Sequence, residues 1–282
     1  MAHTTLITAA TLHAHLDDPD WVVVDCRFNL ADPDAGRRAY QAGHIPGARY
    51  AHLDEDLSAP VTATTGRHPL PDPARLAATL GAWGIGPETQ VLAYDDLGGM
   101  LAAARLWWLL RWLGHAAVAV LDGGLPAWTR AGLPLDTDVP VIAAQTFTAR
   151  PDNRLWLTVE QVQALPAHEL LLDARGAARY RGEMEPIDPV AGHIPGALNL
   201  PTESNLAADG CFLPAAALRT RFAALLGERP AATVVHSCGS GVTACHNLLA
   251  MEVAGLSGSR LYAGSWSEWI RDPQRPVATG AA

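Results

Sequence analysis

The sequence predicts an α/β protein made of two tandem copies of one domain, each a mostly parallel sheet with helices on both faces. Three observations carry that expectation. The 282-residue chain is long enough for two ordinary domains. Four segments occur twice in the same order, at a spacing close to half the chain. Within each half, short apolar runs alternate with amphipathic segments, as a parallel sheet with crossover helices requires.

The repeats are specific. Val22-Val-Val-Asp25-Cys-Arg27 matches Leu170-Leu-Leu-Asp173-Ala-Arg175, and Gly43-His-Ile-Pro-Gly-Ala48 is identical to Gly192-His-Ile-Pro-Gly-Ala197. Val91 to Asp96 matches Val234 to Cys238, and Leu121 to Trp128 matches Tyr262 to Trp269. Ordered matches of this kind indicate a duplicated domain. The expected division is a first domain over 1–135, a linker over 136–157 rich in proline and without helical period, and a second domain over 158–282. Val22–Asp25, Val91–Tyr94, Leu170–Asp173, Thr233–Ser237 and Arg260–Tyr262 read as buried strands; Ala74–Trp83, Leu101–Leu113, Ala215–Leu226 and Thr243–Ala254 read as helices. Trp107, Trp108 and Trp112 form a helical core stripe.

Composition narrows the function. The chain is 49% hydrophobic and 17% charged, with a formal net charge of −9, which suits a globular protein and argues against a nucleic-acid partner. Apolar stretches such as Leu106–Leu113 are too short to span a bilayer, and the first twenty residues show no basic segment leading into an apolar core. A cytoplasmic setting, with reduced thiols and no membrane partner, is the expectation. All 20 basic residues are arginine, so lysine Schiff bases and P-loops are excluded. The cysteines Cys26, Cys211, Cys238 and Cys245 show no CxxC or zinc-ligand spacing, so no metal is expected.

The strongest chemical signal is Val234-Val-His-Ser-Cys238-Gly-Ser-Gly-Val-Thr243-Ala. A buried strand runs into a glycine-rich turn, and a helix follows. Gly239 and Gly241 let the turn curl its amides around one point, and the helix start adds its positive end. A cysteine there has its thiolate favoured. In the first copy Asp96 takes the place of Cys238, so one half is chemically active and the other supplies walls and polar groups.

The Cys-Gly-Ser-Gly-Val-Thr-Ala loop, the paired Gly-His-Ile-Pro-Gly-Ala and the closing Ser-Trp-Ser-Glu-Trp resemble the rhodanese superfamily, most closely its tandem-domain 3-mercaptopyruvate sulfurtransferases. The resemblance runs from about Leu16 to Trp269. It implies two rhodanese-like domains and a persulfide carried on Cys238. It also implies a proton relay of Asp54, His68 and Ser240 near the sulfur. Arg179 would grip the donor carboxylate, with Gly239, Gly241, Val242 and Thr243 forming the substrate cradle. The second arginine of that family is missing: Ile187 or Asp188 stands in its place, and Arg181 is the candidate substitute. Thiosulfate sulfurtransferases carry a basic Cys-Arg-Lys loop for their dianionic donor; here Gly239 and Ser240 make the loop neutral, which suits a monoanionic thiol.

The implied reaction moves a sulfane sulfur from 3-mercaptopyruvate to a thiol, a thioredoxin-like dithiol or cyanide, by double displacement and without a cofactor. Thiosulfate is the alternative donor. A cysteine phosphatase needs Cys-x5-Arg, and position 244 is alanine. A non-catalytic persulfide-binding protein is the remaining alternative. Asp25, Arg27, His44, Asp173, Arg175 and His193 occur in both copies and read as structural. Cys245 reads as a core thiol, Trp266 and Trp269 as packing or pocket-mouth residues, and Cys26 and Cys211 carry no signal.

Overall fold

The computed structural model describes residues 2–281. It contains two five-stranded sheets, every strand pair parallel. The first sheet comprises β1 (Leu6–Ile7), β2 (Trp21–Asp25), β3 (Arg49–Tyr50), β4 (Gln90–Tyr94) and β5 (Val118–Leu121), in the order β1-β5-β4-β2-β3. The second comprises β6 (Trp156–Leu157), β7 (Leu170–Asp173), β8 (Leu198–Asn199), β9 (Val234–Ser237) and β10 (Arg260–Tyr262), in the order β6-β10-β9-β7-β8. The two orders are the same topology, as duplication requires.

The central strands β2, β4, β7 and β9 are buried along nearly their whole length. A parallel strand covered by helices on both faces must be apolar throughout, and β-branched Val22-Val-Val24 and Val234-Val235 meet that need. In the first half the helices are α1 (Ala9–His13), α2 (Ala35–Ala42), α3 (Pro73–Ala82), α4 (Ala102–Trp112) and α5 (Gly124–Arg130). The second half has α6 (Val159–Gln163), α7 (Ala177–Tyr180), α8 (Ala215–Leu226), α9 (Ala244–Val253) and α10 (Ser265–Trp269). Asp72 caps α3 by accepting from the Ala74 and Arg75 amides at 3.0 and 2.9 Å, with Pro73 as its first residue. α4 is buried on all sides, which explains its tryptophans: Trp107, Trp108 and Trp112 are core.

The duplicated motifs perform the same task in each unit. Arg27 and Arg175 each grip the aspartate two residues before them, at 2.6 Å to Asp25 and Asp173. Each also donates to the carbonyl of a glycine, Gly43 or Gly192, at 2.7 Å. His44 and His193 stack on Tyr40 and Tyr180, and each Nδ1 meets that tyrosine's carbonyl at 2.8 Å. These groups tie each strand end to the following Gly-His-Ile-Pro-Gly turn.

Three details differ from the sequence expectation. Tyr94 pairs with Asp25 as Ser237 pairs with Asp173, and their carbonyls accept from the Cys26 and Ala174 amides at 2.7 and 2.8 Å. The residue matching Cys238 is therefore Asp95, not Asp96. The apolar run alone could not place that strand end; the hydrogen-bond register does. The second sheet begins at Trp156 in β6, inside the segment expected to be linker, because its edge strand is only two residues long. Finally, the compact units are not contiguous in sequence. The first holds residues 1–59, 70–152 and 207–212, and the second holds 60–69, 153–206 and 213–282. Among the described residues, no helix is long and apolar enough to cross a membrane.

β9 also carries a buried histidine with a measurable consequence. His236 is fully buried; its Nε2 lies 3.2 Å from Met251 Sδ, and its Nδ1 has no partner among the described residues. Burial pushes its pKa down to about 3, so the folded protein keeps this imidazole neutral. An unfolded chain protonates it below about pH 6.5. Stability from this site is therefore complete above that pH and declines as pH falls toward 3. Between pH 7 and 4.5 His236 should account for a loss of about 2–3 kcal/mol. Urea unfolding of wild type and His236→Phe at both pH values checks this; the variant should lose less by that amount.

Candidate active site

The site lies wholly within the second unit, at the carboxyl end of β9, where open parallel sheets present their reactive loops. Cys238 follows β9 directly and is buried. The Gly241 amide donates to Cys238 Sγ at 3.1 Å. Gly241 adopts φ +75°, and a Cβ there would lie 2.1 Å from the Ala263 carbonyl oxygen, so both conformation and space demand glycine. The Cys238 carbonyl accepts from the Trp266 amide at 3.0 Å, and the Gly239 carbonyl accepts from the Ser267 amide at 2.9 Å.

At the resting thiol the expected ring of amides amounts, among the described residues, to one contact, from Gly241. The amides of Ser240, Val242 and Thr243 have no hydrogen-bond partner among the described residues. Thr243 precedes α9 without a side-chain cap, so the positive end of that helix is also open to the loop. The twin loop shows what such a turn can hold. There the Asp95 carboxylate accepts from the Leu97, Gly99 and Leu101 amides at 2.9, 2.8 and 3.0 Å, and from Ala103 at 3.4 Å. A carboxylate oxygen reaches one bond further from Cβ than a thiol sulfur does. The outer sulfur of a persulfide has the same extra reach. Even so, burial pushes the Asp95 carboxyl up to about 6, against the pull of those amides.

Beside the sulfur, Ser240 Oγ and His68 Nδ1 form a 2.7 Å hydrogen bond, both side chains buried. His68 belongs to the 60–69 segment, which is part of the second unit. That segment is fastened by the Arg67 amide donating to Ser267 Oγ at 3.0 Å and by Arg271 Nε donating to the Thr65 carbonyl at 3.0 Å. Asp54 lies in the first unit, exposed, its amide 3.2 Å from His52 Nδ1.

Two guanidinium groups face Gly239. A Cβ built on that residue would lie 2.8 Å from Arg67 Nη2 and 3.7 and 3.8 Å from Arg179 Nη2 and Nη1. Gly239 is thus the space in which two cations meet the loop. Arg179 is aimed by Glu185, at 2.7 Å from Nη2 and 3.1 Å from Nε, and by Asp188 at 3.2 Å. Arg67 pairs with the other oxygen of Asp188. Burial pushes the Asp188 carboxyl up despite both arginines. Burial acts on Glu185 too, but the Arg179 bonds and the Asp188 and Ile187 amides outweigh it and hold that carboxyl low. Arg67 Nη2 and Arg179 Nη1 have no hydrogen-bond partner among the described residues.

Sequence reasoning missed Arg67. It named Arg181 as the substitute second arginine, but that guanidinium pairs with Glu183 at 2.7 and 2.8 Å at the surface. The signal available was the position of Arg67 directly before His68. Asp188, standing where an arginine was expected, instead anchors both guanidinium groups. The loop is neutral in sequence, but in space two guanidinium groups, paired with Asp188 and Glu185, reach it.

The remaining cysteines have other surroundings. Burial, then Asp25, Asp95 and Asp56, push the Cys26 thiol up; burial, then Asp122 and Asp209, do the same for Cys211. Cys245 is buried on α9 and donates to the Gly241 carbonyl at 3.4 Å. Trp266 and Trp269 are core residues, their indole N–H groups donating to the Val190 and Pro276 carbonyls at 2.9 Å.

Comparison with known proteins places the chain in a family. The Rhodanese-like domain family matches twice, over residues 8–131 and 158–272. A Pseudomonas aeruginosa protein named "Probable 3-mercaptopyruvate sulfurtransferase" is 55% identical over 99% of this chain and 100% of its own. "Thiosulfate/3-mercaptopyruvate sulfurtransferase 1, mitochondrial" of Arabidopsis thaliana is 31% identical over 96% of this chain and 77% of its own. Among solved structures, 3-mercaptopyruvate sulfurtransferase from Leishmania major superposes with a TM-score of 0.84 at 32% identity, covering 96% of this chain and 76% of that one. The chain belongs to the rhodanese-like family and carries that family's domain twice.

Proposed function

We propose that the protein is a sulfurtransferase that takes the thiol sulfur of 3-mercaptopyruvate, holds it as the sulfane sulfur of a Cys238 persulfide and passes it to a thiol, a dithiol or cyanide. The observation that carries this reading is the buried Cys238 thiol in a turn with unpartnered amides, flanked by the Ser240–His68 pair and by two guanidinium groups.

In the first half-reaction the Cys238 thiolate attacks the donor sulfur. A new S–S bond forms and the donor C–S bond breaks, its electron pair going to the carbon of departing pyruvate enolate. Arg179 and Arg67 hold the donor carboxylate with their free N–H groups, which positions the sulfur as well as attracting the anion. The donor thiol's proton passes through Ser240 and His68 to the enolate, with Asp54 proposed as the third relay member. The Ser240, Val242 and Thr243 amides receive the persulfide anion, much as amides of the twin loop receive the Asp95 carboxylate. In the second half-reaction the acceptor attacks the outer sulfur and the Cys238 thiolate leaves. No metal or organic cofactor is needed for this exchange. A cytoplasmic setting fits a mechanism that depends on a reduced thiol.

Thiosulfate is the second reading for the donor, because two cations over Gly239 also suit a dianion. Intact-mass measurement after incubation with each donor tests the function. The expected result is a gain of one sulfur, removed by cyanide as thiocyanate and retained in Cys245→Ser; no gain with either donor overturns it. The ratio of kcat/KM for the two donors decides between them, with 3-mercaptopyruvate expected to be the better.

A further inference from the structure

Ser265 is the only non-glycine residue with positive φ among the described residues, at 53°. A side chain in this left-handed conformation costs backbone energy that glycine avoids. The first unit uses glycine here. The register Leu121–Trp128 to Tyr262–Trp269 sets Gly124 against Ser265. Gly124 has φ 59°, and the following amide, from Leu125, donates to the Asp95 carbonyl at 2.9 Å. After Ser265 the Trp266 amide likewise donates to the Cys238 carbonyl at 3.0 Å. The two turns share this left-handed position and the hydrogen bond after it, although the glycine before it differs, Gly123 at φ 74° and Gly264 at φ −70°; only the thiol-bearing copy keeps a side chain at the strained position.

That side chain has a defined task. Ser265 Oγ accepts from the Cys238 amide at 3.0 Å and donates to the Tyr262 carbonyl at 2.9 Å, fully buried. β10 pairs with β9 only up to Leu261 and His236. Beyond that point the Ser265 hydroxyl bridges the end of β10 to the Cys238 amide. Cys238 is then clamped at both backbone polar atoms, its N–H by Ser265 and its C=O by Trp266. The same short segment fixes Gly239 through the Ser267 amide and Arg67 through Ser267 Oγ.

We propose that Ser265 is a positioning residue for the nucleophile, its strained backbone retained because its hydroxyl fixes the Cys238 main chain and so aims Sγ at the Gly241 amide and the donor. This rests on the persulfide reading above. Two variants separate positioning from stability. Ser265→Gly and Ser265→Ala both remove the hydroxyl, but only glycine relieves the backbone, so Ser265→Gly should melt above Ser265→Ala by about 2–4 °C.

Despite that difference, both should form the persulfide about tenfold more slowly than wild type in single-turnover mass measurements, with the donor concentration for half-maximal rate unchanged. Alkylation of Cys238 by iodoacetamide, which involves no sulfur donor, should slow similarly, so this arm stands even if neither donor loads the wild-type protein. Wild-type rates in either variant, rates that follow the melting temperatures, or a glycine variant less stable than the alanine variant would each overturn the proposal.

Discussion

Cys238→Ser is expected to reduce sulfur transfer by about 10^4-fold or more and to leave the fold intact. The hydroxyl can still accept from the Gly241 amide and fills nearly the same space, so the loop has no reason to rearrange. What is lost is the nucleophile. An alcohol is not deprotonated near neutral pH, and an O–S bond would not be a competent carrier for the second transfer. Cys26, Cys211 and Cys245 cannot replace it. Burial and nearby carboxylates hold the first two in the thiol form, and Cys245 is buried on α9 against the Gly241 carbonyl. Steady-state thiocyanate or pyruvate production, compared with the melting temperature, measures both parts of the expectation. Substantial residual turnover in a correctly folded serine variant would move the sulfur-carrying role elsewhere.

Removing one of the two arginines at Gly239 should have the next largest effect. A hydrogen bond to a charged group contributes about 1.5–3 kcal/mol when its partner is bound, so Arg67→Gln or Arg179→Gln should lower kcat/KM for 3-mercaptopyruvate by roughly 10- to 100-fold. The loss should fall more on KM than on kcat, because the carboxylate is held in both ground and transition states. Arg67→Gln is the cleaner experiment. Asp188 keeps its 3.2 Å contact with Arg179 in that variant, whereas loss of Arg179 leaves Glu185 without its closest cation. Lysine should rescue poorly at either position, since a point charge cannot reproduce the fork. Alkylation of Cys238 by neutral iodoacetamide should be nearly unchanged, which separates lost donor binding from a damaged loop. Equal losses for the carboxylate donor and the neutral reagent would argue against a carboxylate clamp.

The two guanidinium groups also revise how the loop is read. Gly239 and Ser240 suggested a donor of low charge, by contrast with loops carrying Arg and Lys. In space the positive charge is present, brought by Arg67 and Arg179 and partly neutralised by Asp188 and Glu185. Donor preference is therefore expected to depend on the balance of these four groups as much as on the two loop residues.

The amino-acid sequence by itself determined the duplication, the parallel architecture, the strand–turn–helix around Cys238 and the shared roles of Asp25, Arg27, His44, Asp173, Arg175 and His193. These are local or periodic properties. Buried parallel strands must be apolar throughout, glycines must stand where backbones turn left-handed or crowd, and a copied motif repeats its own contacts. Only the tertiary structure decided that Asp95, not Asp96, answers Cys238, because strand register depends on hydrogen bonds between β2 and β4 and between β7 and β9. It alone assigned residues 60–69 to the second unit and brought Arg67 to Gly239 across well over a hundred residues of chain, whereas the grouping of His68 with Ser240 came from the family resemblance of the sequence. It alone showed Ser265 beneath the nucleophile. No spacing or period in a sequence encodes such meetings; they follow from how loops far apart along the chain pack against one strand end.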